Sequence, residues 1–175
     1  MAIAFDAATG PLRTAAASSK TFSHTNGTGD NRFLRVTVGW LEANVSPTVT
    51  VSSVTYGGVA MTVVPSSTLH IALGDGLNSV GIAQYGLVAP ATGANDVVIT
   101  MSGTCDIRGG ADSWSGVHQT TSYGTAVTAN AADETTTLDV SSAAGEVAVS
   151  SAQILTLTAL ASNDTERWST TVEGS

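Results

Sequence analysis

Residues that stabilise an exposed helix face are scarce in this 175-residue chain, and this scarcity constrains the fold more than any other feature. Lysine occurs once, at Lys20, and the five glutamates lie too far apart to form ion pairs along a helix. Charged residues make up 11% of the chain, whereas glycine alone occurs 18 times. Because this composition favours short strands and tight turns, we predict an all-β fold.

Short runs in which apolar and polar residues alternate support this prediction. In the clearest run, Leu34, Val36, Val38 and Trp40 alternate with polar or small residues. We predict about eight strands in total. The other predicted strands lie at 48–56, 59–64, 79–90, 95–103, 109–117, 135–142 and 145–157.

Two glycine-containing turns connect predicted neighbours. Gly57 and Gly58 can adopt the positive φ of a tight hairpin, so we predict that the runs before and after them pair. Pro90 lacks a backbone donor and should end one strand, while Gly93 should turn the chain into the next.

The strand spacing and the absence of helical inserts predict a two-sheet antiparallel sandwich, jelly-roll-like, over one core. Residues 1–20 are small and weakly patterned, so we predict a flexible N-terminal arm there. Residues 21–175 are then predicted to form a single β-sandwich domain.

The charge and the first residues restrict the location and partners of the chain. Its net charge of −8 argues against binding to nucleic acid, which needs a basic surface. The first ten residues lack a basic leader, and no run approaches the roughly 20 apolar residues that span a membrane. We therefore expect synthesis in the cytoplasm and no membrane partner. Cys105 is the single cysteine, so packing must stabilise the fold without an intrachain disulfide.

No arrangement of reactive residues in the sequence indicates an enzyme. His24, His70 and His118 are scattered, and we expect them at the surface or in loops. The sequence contains no nucleophile elbow, no pair of metal-binding cysteines or histidines, and no glycine-rich phosphate loop before a helix. We therefore predict no catalytic residues, no cofactor-binding residues and no metal site.

The aromatic residues are divided between core and surface. Trp40 and Trp114 lie in or beside alternating runs, where an aromatic side chain usually fills the core. Tyr123 and Trp168 lie in loop-like segments, so we predict them as the candidate surface-contact residues.

Six segments carry a family resemblance across residues 24–168. In sequence and in order, they resemble a family of β-sandwich modules found in bacteriophage virion proteins and in exported or surface proteins of bacteria. The resemblance implies a jelly-roll-like sandwich and carries over no catalytic motif. The segments are NRFLRVTVGW (31–40), VSSVTYGGVAMTVV (51–64), YGLVAPATGANDVVITMSG (85–103), SWSGVHQTT (113–121), SSAAGEVAVSS (141–151) and ERWS (166–169).

The resemblance also implies local details. Ser115–Val117 should close a strand, and members usually continue past the equivalent of Arg167-Trp168 into further strands. We therefore expect an open sheet edge, covered either by the N-terminal arm or by a neighbouring copy of the chain.

These expectations favour a non-enzymatic virion structural protein of a tailed bacteriophage. The most specific hypothesis is a capsid decoration (cement) protein on the outer capsid surface, synthesised in the host cytoplasm. Its partners would be the major capsid protein and further copies of itself, as a dimer or trimer. The alternative hypothesis is a phage tail or fibre protein, or a surface carbohydrate-binding module.

Overall fold

The computed structural model describes residues 2–130 and 139–153, and its strands form one antiparallel sheet of eight strands. No helix occurs within these two ranges. The predictions of an all-β fold and of about eight strands are therefore confirmed. The strands are β1 (Ala4–Asn26), β2 (Phe33–Glu42), β3 (Val51–Tyr56), β4 (Val59–Ala60), β5 (Thr62–Val63), β6 (Leu69–Ala72), β7 (Ser79–Val88) and β8 (Gly93–Ser115).

Strand β8 lies at the centre of the sheet. The hydrogen-bonded order is β4-β3-β8-β2-β7-β5, with β1 paired to β8 and β6 paired to β7. Residues 97–101 of β8 pair with β3, and residues 106–114 pair with β2. Because β1 pairs with β8 from end to end, these two long strands run through both halves of the sheet. The first half contains β3, β4 and the paired residues 19–26 and 93–100. The second half contains β2, β5, β6, β7 and the paired residues 4–17 and 105–115.

The sheet turns a corner where β1 and β8 change register. Ala17 lies opposite Cys105, but Ser19 lies opposite Thr100, so β8 contains extra residues at this point. The Asp106 carboxylate on β8 stabilises this corner by hydrogen bonds to β1. It accepts a hydrogen bond from the backbone N–H of Ala16 at 3.0 Å and from Arg13 Nε at 3.2 Å.

The two halves of the sheet face each other across the core, so the sheet is nearly a barrel. Ile99 and Phe22 come from the first half, and Gly109 comes from the second. A Cβ on Gly109 would lie 2.8 Å from both Ile99 Cδ1 and Phe22 Cε1, which shows how closely the halves approach. The division into two sheets with jelly-roll connections stays a prediction.

The core is apolar and draws on both halves. Trp40 and Tyr56 are its largest fully buried side chains, which confirms the prediction that Trp40 fills the core. Cys105 is buried in the same cluster. The other core members are Phe22, Leu34, Val36, Val38, Val49, Val54, Met61, Ala83, Val97, Ile99, Met101, Ile107 and Ala111.

Both predicted turns are confirmed. Gly57 and Gly58 have φ values of 54° and 81° and connect β3 to β4, with Tyr56 paired to Val59. Gly93 has a φ of 81° and begins β8, directly after the Pro90 turn that follows β7. Glycine tolerates these positive φ values because it has no Cβ.

The first twenty residues differ from the expected flexible arm. The structure places residues 4–20 within β1, whose backbone pairs with β8, so no separate arm or boundary near residue 20 is seen. Local composition did not indicate this strand because its partner lies about a hundred residues away, and that partner supplies the hydrogen bonds.

The described part of the predicted strand 145–157 is not a strand. Residues 151–153 lie against the outer face of β2, where Ser151 Oγ is 2.9 Å from Thr37 Oγ1. Gln153 donates a hydrogen bond to the carbonyl oxygen of Trp40 at 3.2 Å. Side chains rather than a strand ladder therefore attach this segment. Residues 135–138 of the predicted strand 135–142 lie outside the described residues, and residues 139–142 are not in a strand.

We expect Gly81→Ala to lower the free energy of unfolding by about 1–3 kcal/mol, because a Cβ at this position would overlap the indole ring of Trp40. Urea titration measures this change. Gly74→Ala is the matched control, since a Cβ there meets no atom within 4 Å. Equal stabilities for the two variants would contradict the close packing of β7 on Trp40.

Candidate functional site

The candidate site is the free edge of β1. Among the described strands, β8 is the one partner of β1, so no other described strand pairs with the opposite edge of β1. The pairing with β8 shifts register four times between Phe5 and Ser19. Residues 19–26 instead pair one-to-one with residues 93–100. We call residues 19–26 the edge segment.

Side chains of the edge segment alternate between core and solvent. Lys20, Phe22, His24 and Asn26 are buried. The intervening side chains are exposed and are all serine or threonine: Ser19, Thr21, Ser23 and Thr25. The segment therefore presents a small, uncharged outer row, as expected for a strand with one buried face.

His24 is the most buried titratable residue of the edge segment, with 1% of its surface exposed. Its Nδ1 lies 2.9 Å from Thr9 Oγ1, and its Nε2 is buried without a hydrogen-bond partner. Burial lowers the pKa of His24, and the nearby carboxylates of Asp112 and Asp6 offset this only in part. The neutral imidazole is therefore favoured in the folded protein.

A buried ion pair lies on the outer face of the sheet. Arg35 Nη2 is 2.6 Å from Asp112 Oδ2, and Trp114 donates its indole N–H to Asp112 Oδ1 at 2.5 Å. Arg35 also donates to Ser151 Oγ at 3.2 Å, which connects the 139–153 segment to β2. Removing either member of the pair would leave a buried charge without its partner, so both residues hold the sheet in register.

A second buried carboxylate, Glu42, anchors the chain that follows β2. It accepts hydrogen bonds from the backbone N–H groups of Thr48 and Val49, at 2.6 and 3.0 Å. The hydroxyl of Ser79 donates to it at 2.7 Å. Burial raises the pKa of Glu42, but these donors outweigh that effect and leave its pKa below the ordinary value.

A serine, a histidine and a carboxylate, the residue types of a catalytic triad, meet at Glu42, but they are not arranged as a triad. His70 Nε2 lies 3.2 Å from Glu42 Oε1, and the hydroxyl of Ser79 points to the same carboxylate oxygen. A nucleophilic serine would instead donate to the histidine, which would take its proton. This cluster therefore closes the loop after β2 and leaves the serine unactivated.

Other reactive groups give no stronger candidate. Burial raises the pKa of the Cys105 thiol to about 11, so the unreactive thiol form dominates near neutral pH. In the two described ranges, no group of three or more His, Cys, Asp or Glu side chains is placed to hold a metal ion. No helix among the same residues has the length and apolar character needed to cross a membrane.

The two predicted surface-contact residues have different outcomes. Tyr123 is 37% exposed and packs against Phe33, with ring centroids 6.0 Å apart, above Gly86 of β7. Trp168 lies outside the described residues. Surface contact through either residue stays a prediction, and the structure does not describe the two together.

Sequence reasoning missed the edge segment and both buried carboxylates. His24 and His70, expected at the surface or in loops, are largely buried, whereas His118 is exposed. One signal was present: in residues 20–26, Phe22 alternates with serine and threonine in the pattern of a half-buried strand. The pattern is weak because two of the inward-facing positions are occupied by the polar residues Lys20 and His24.

Comparisons with known proteins give no relative. No family model, no curated protein and no solved structure matches the chain. The resemblance to phage virion modules therefore stays a prediction.

We expect the protein to lose stability as the pH falls from about 7.5 to about 5.5, because the unfolded chain binds protons that buried His24 resists. The folded pKa of His24 lies below its unfolded value of 6.5, so the stabilisation is fully present about one pH unit above 6.5 and is lost as the pH falls through that value. His70 contributes with the same sign. Urea titration across this range measures the slope.

In the matched comparison, His24→Gln should flatten this slope relative to the unsubstituted protein. The slope is the readout, since His24→Gln also alters packing. An unchanged slope in His24→Gln would show that the histidine does not resist protonation.

We expect Glu42→Gln to lower the free energy of unfolding by about 2 kcal/mol, because the amide NH₂ group would face donors that now meet a carboxylate. Thermal or urea unfolding measures the loss. Asp75→Asn is the control, since Asp75 accepts similar bonds from Leu77 and Asn78 in an exposed turn. Its effect should be much smaller, and equal losses would mean that burial of Glu42 adds nothing.

Proposed function

We propose that this chain is a non-enzymatic structural protein of a bacteriophage virion, acting as a capsid decoration (cement) protein on the outer shell. Its partner would be the major capsid protein, and it would bridge adjacent capsomers. Within this proposal the folded sheet corresponds to a jelly-roll-like sandwich, as the family resemblance implies.

The observation that carries the proposal is the open edge of β1. Unpaired backbone N–H and C=O groups along a strand provide a surface for another chain, and this strand runs through both halves of the sheet. A protein with a long strand edge that no described strand covers suits assembly better than conversion of a small substrate.

The use of polar residues supports a structural role. Glu42 is saturated by donors, and Asp112 is held by Arg35 and Trp114. Both carboxylates accept hydrogen bonds from donors within the fold, where they hold a loop and a pair of strands, so they are not available to bind a substrate. The net charge of −8 suits an outer shell position better than one against packaged nucleic acid.

The mechanism would be mechanical. Each contact with a shell subunit can be weak, because an oligomer that contacts neighbouring capsomers gains affinity through effective concentration. Binding to the assembled shell alone would then stabilise that shell by mass action.

The alternative, a tail or fibre module that binds carbohydrate, is favoured by one observation. The half-exposed ring of Tyr123 is backed by Phe33, and aromatic rings of this kind stack on sugars. We rank it second because packing against Phe33 covers part of the ring.

We expect quantitative mass spectrometry of purified particles to find this chain in hundreds of copies per particle, as a shell position requires for a protein that bridges capsomers. Removing it should make the particles break at lower temperature or under milder osmotic shock, and adding it back should restore them. A handful of copies per particle, with glycan binding lost in Tyr123→Ala, would replace the shell proposal by the tail alternative.

A further inference from the structure

We propose that the edge segment, residues 19–26, binds a second copy of this chain, so that two copies join their sheets by antiparallel pairing of this segment. The proposal names a partner surface on the protein itself. It does not require the virion role, because it rests on the strand edge alone.

The two ends of β1 differ in how well they are protected against pairing. Residues 4–18 contain Pro11, the exposed Arg13 and most of the register shifts, all of which hinder the addition of a strand. The edge segment has no register shift after Ser19, no proline and no exposed charge. Its open edge is therefore the part of β1 on which a new strand fits best.

The other strand ends of the sheet offer much less edge. Strands β4 and β5 contain two residues each, and β6 contains four. Short edge strands are a common protection against unwanted pairing. Among the described strands, β1 thus carries the long open edge, and the edge segment is its regular part.

Charge makes a second copy an acceptable partner here. Two chains of net charge −8 repel each other over most of their surfaces. Strand β1 contains one acidic residue, Asp6, against two basic residues, Arg13 and Lys20, and the edge segment contains no acidic residue. The exposed side chains of the edge segment therefore add no like-charge repulsion between copies.

Side-chain alternation fixes the register of the pair. Residues directly opposite each other in an antiparallel pair lie on the same face of the sheet, so the two-fold axis must pass midway between one residue and its own copy. An axis at Phe22 would place the buried ammonium group of Lys20 opposite His24, whose protonated form the fold already disfavours. An axis at Ser23 places Ser23 opposite its own copy and Thr21 opposite Thr25, so small uncharged side chains meet.

Light scattering coupled to size exclusion is the first test, on the full chain. We expect a mass of twice 17.6 kDa that falls to the monomer on dilution. Ser23→Lys should weaken the dimer at least about tenfold, because it places like charges opposite each other on the axis. Ser53→Lys, on an exposed position of β3, is the matched control and should leave the dimer unchanged.

Cysteine cross-linking is the second test, and it decides the matter if Ser23→Lys does not fold. Oxidation by air with a copper catalyst should link Ser23→Cys into a covalent dimer, since opposite residues in an antiparallel pair lie within disulfide reach. Ser53→Cys should stay monomeric under the same conditions, and the native Cys105 is buried.

A monomer at millimolar concentration would overturn the proposal. So would a dimer that Ser23→Lys and Ser53→Lys leave equally intact, or equal cross-linking of the two cysteine variants. Particle copy number does not enter these tests, so failure of this proposal and failure of the virion proposal are distinguishable.

Discussion

Backbone pairing between β1 and β8 extends from Ala4 opposite Ser115 to Asn26 opposite Gly93. Both strands pass through the two halves of the sheet, so their shared bend brings the apolar residues of one half onto those of the other. Asp106 holds that bend through Ala16 and Arg13. Without this pairing, β3 and β2 would be attached to different parts of β8, and the contacts of the apolar core alone would have to keep the two halves face to face.

Elements with local signals could be predicted from the sequence. The alternation through Trp40 gave β2, the double glycine at 57–58 gave the β3–β4 hairpin, and Pro90 with Gly93 gave the β7–β8 turn. Each depends on residues within a few positions of one another. Residues 4–18 of β1 could not be predicted in this way, because their alanines, serines and threonines fit a loop equally well until β8 supplies hydrogen-bond partners.

The candidate site was less predictable than the fold. His24 and Glu42 are buried because strands distant in sequence cover them, and single-sequence patterns contain no measure of that. The resemblance-based expectation of an open edge concerned the strands that usually follow Arg167-Trp168, a region outside the described residues, so it stays a prediction. The residues expected to form an arm belong to β1, and the open edge that the structure shows is the edge of β1 that faces away from β8.

The pairing of β1 with β8 also affects the order in which the protein can form. A ribosome releases β1 first, yet its partner residues 93–115 follow only after β2 to β7 have been made. Contacts that span so much chain are slow to form, because a long loop must close before any bond rewards the closure. Until β8 has been made, β1 has a strand partner on neither edge, and during that interval it is open to pairing with other chains.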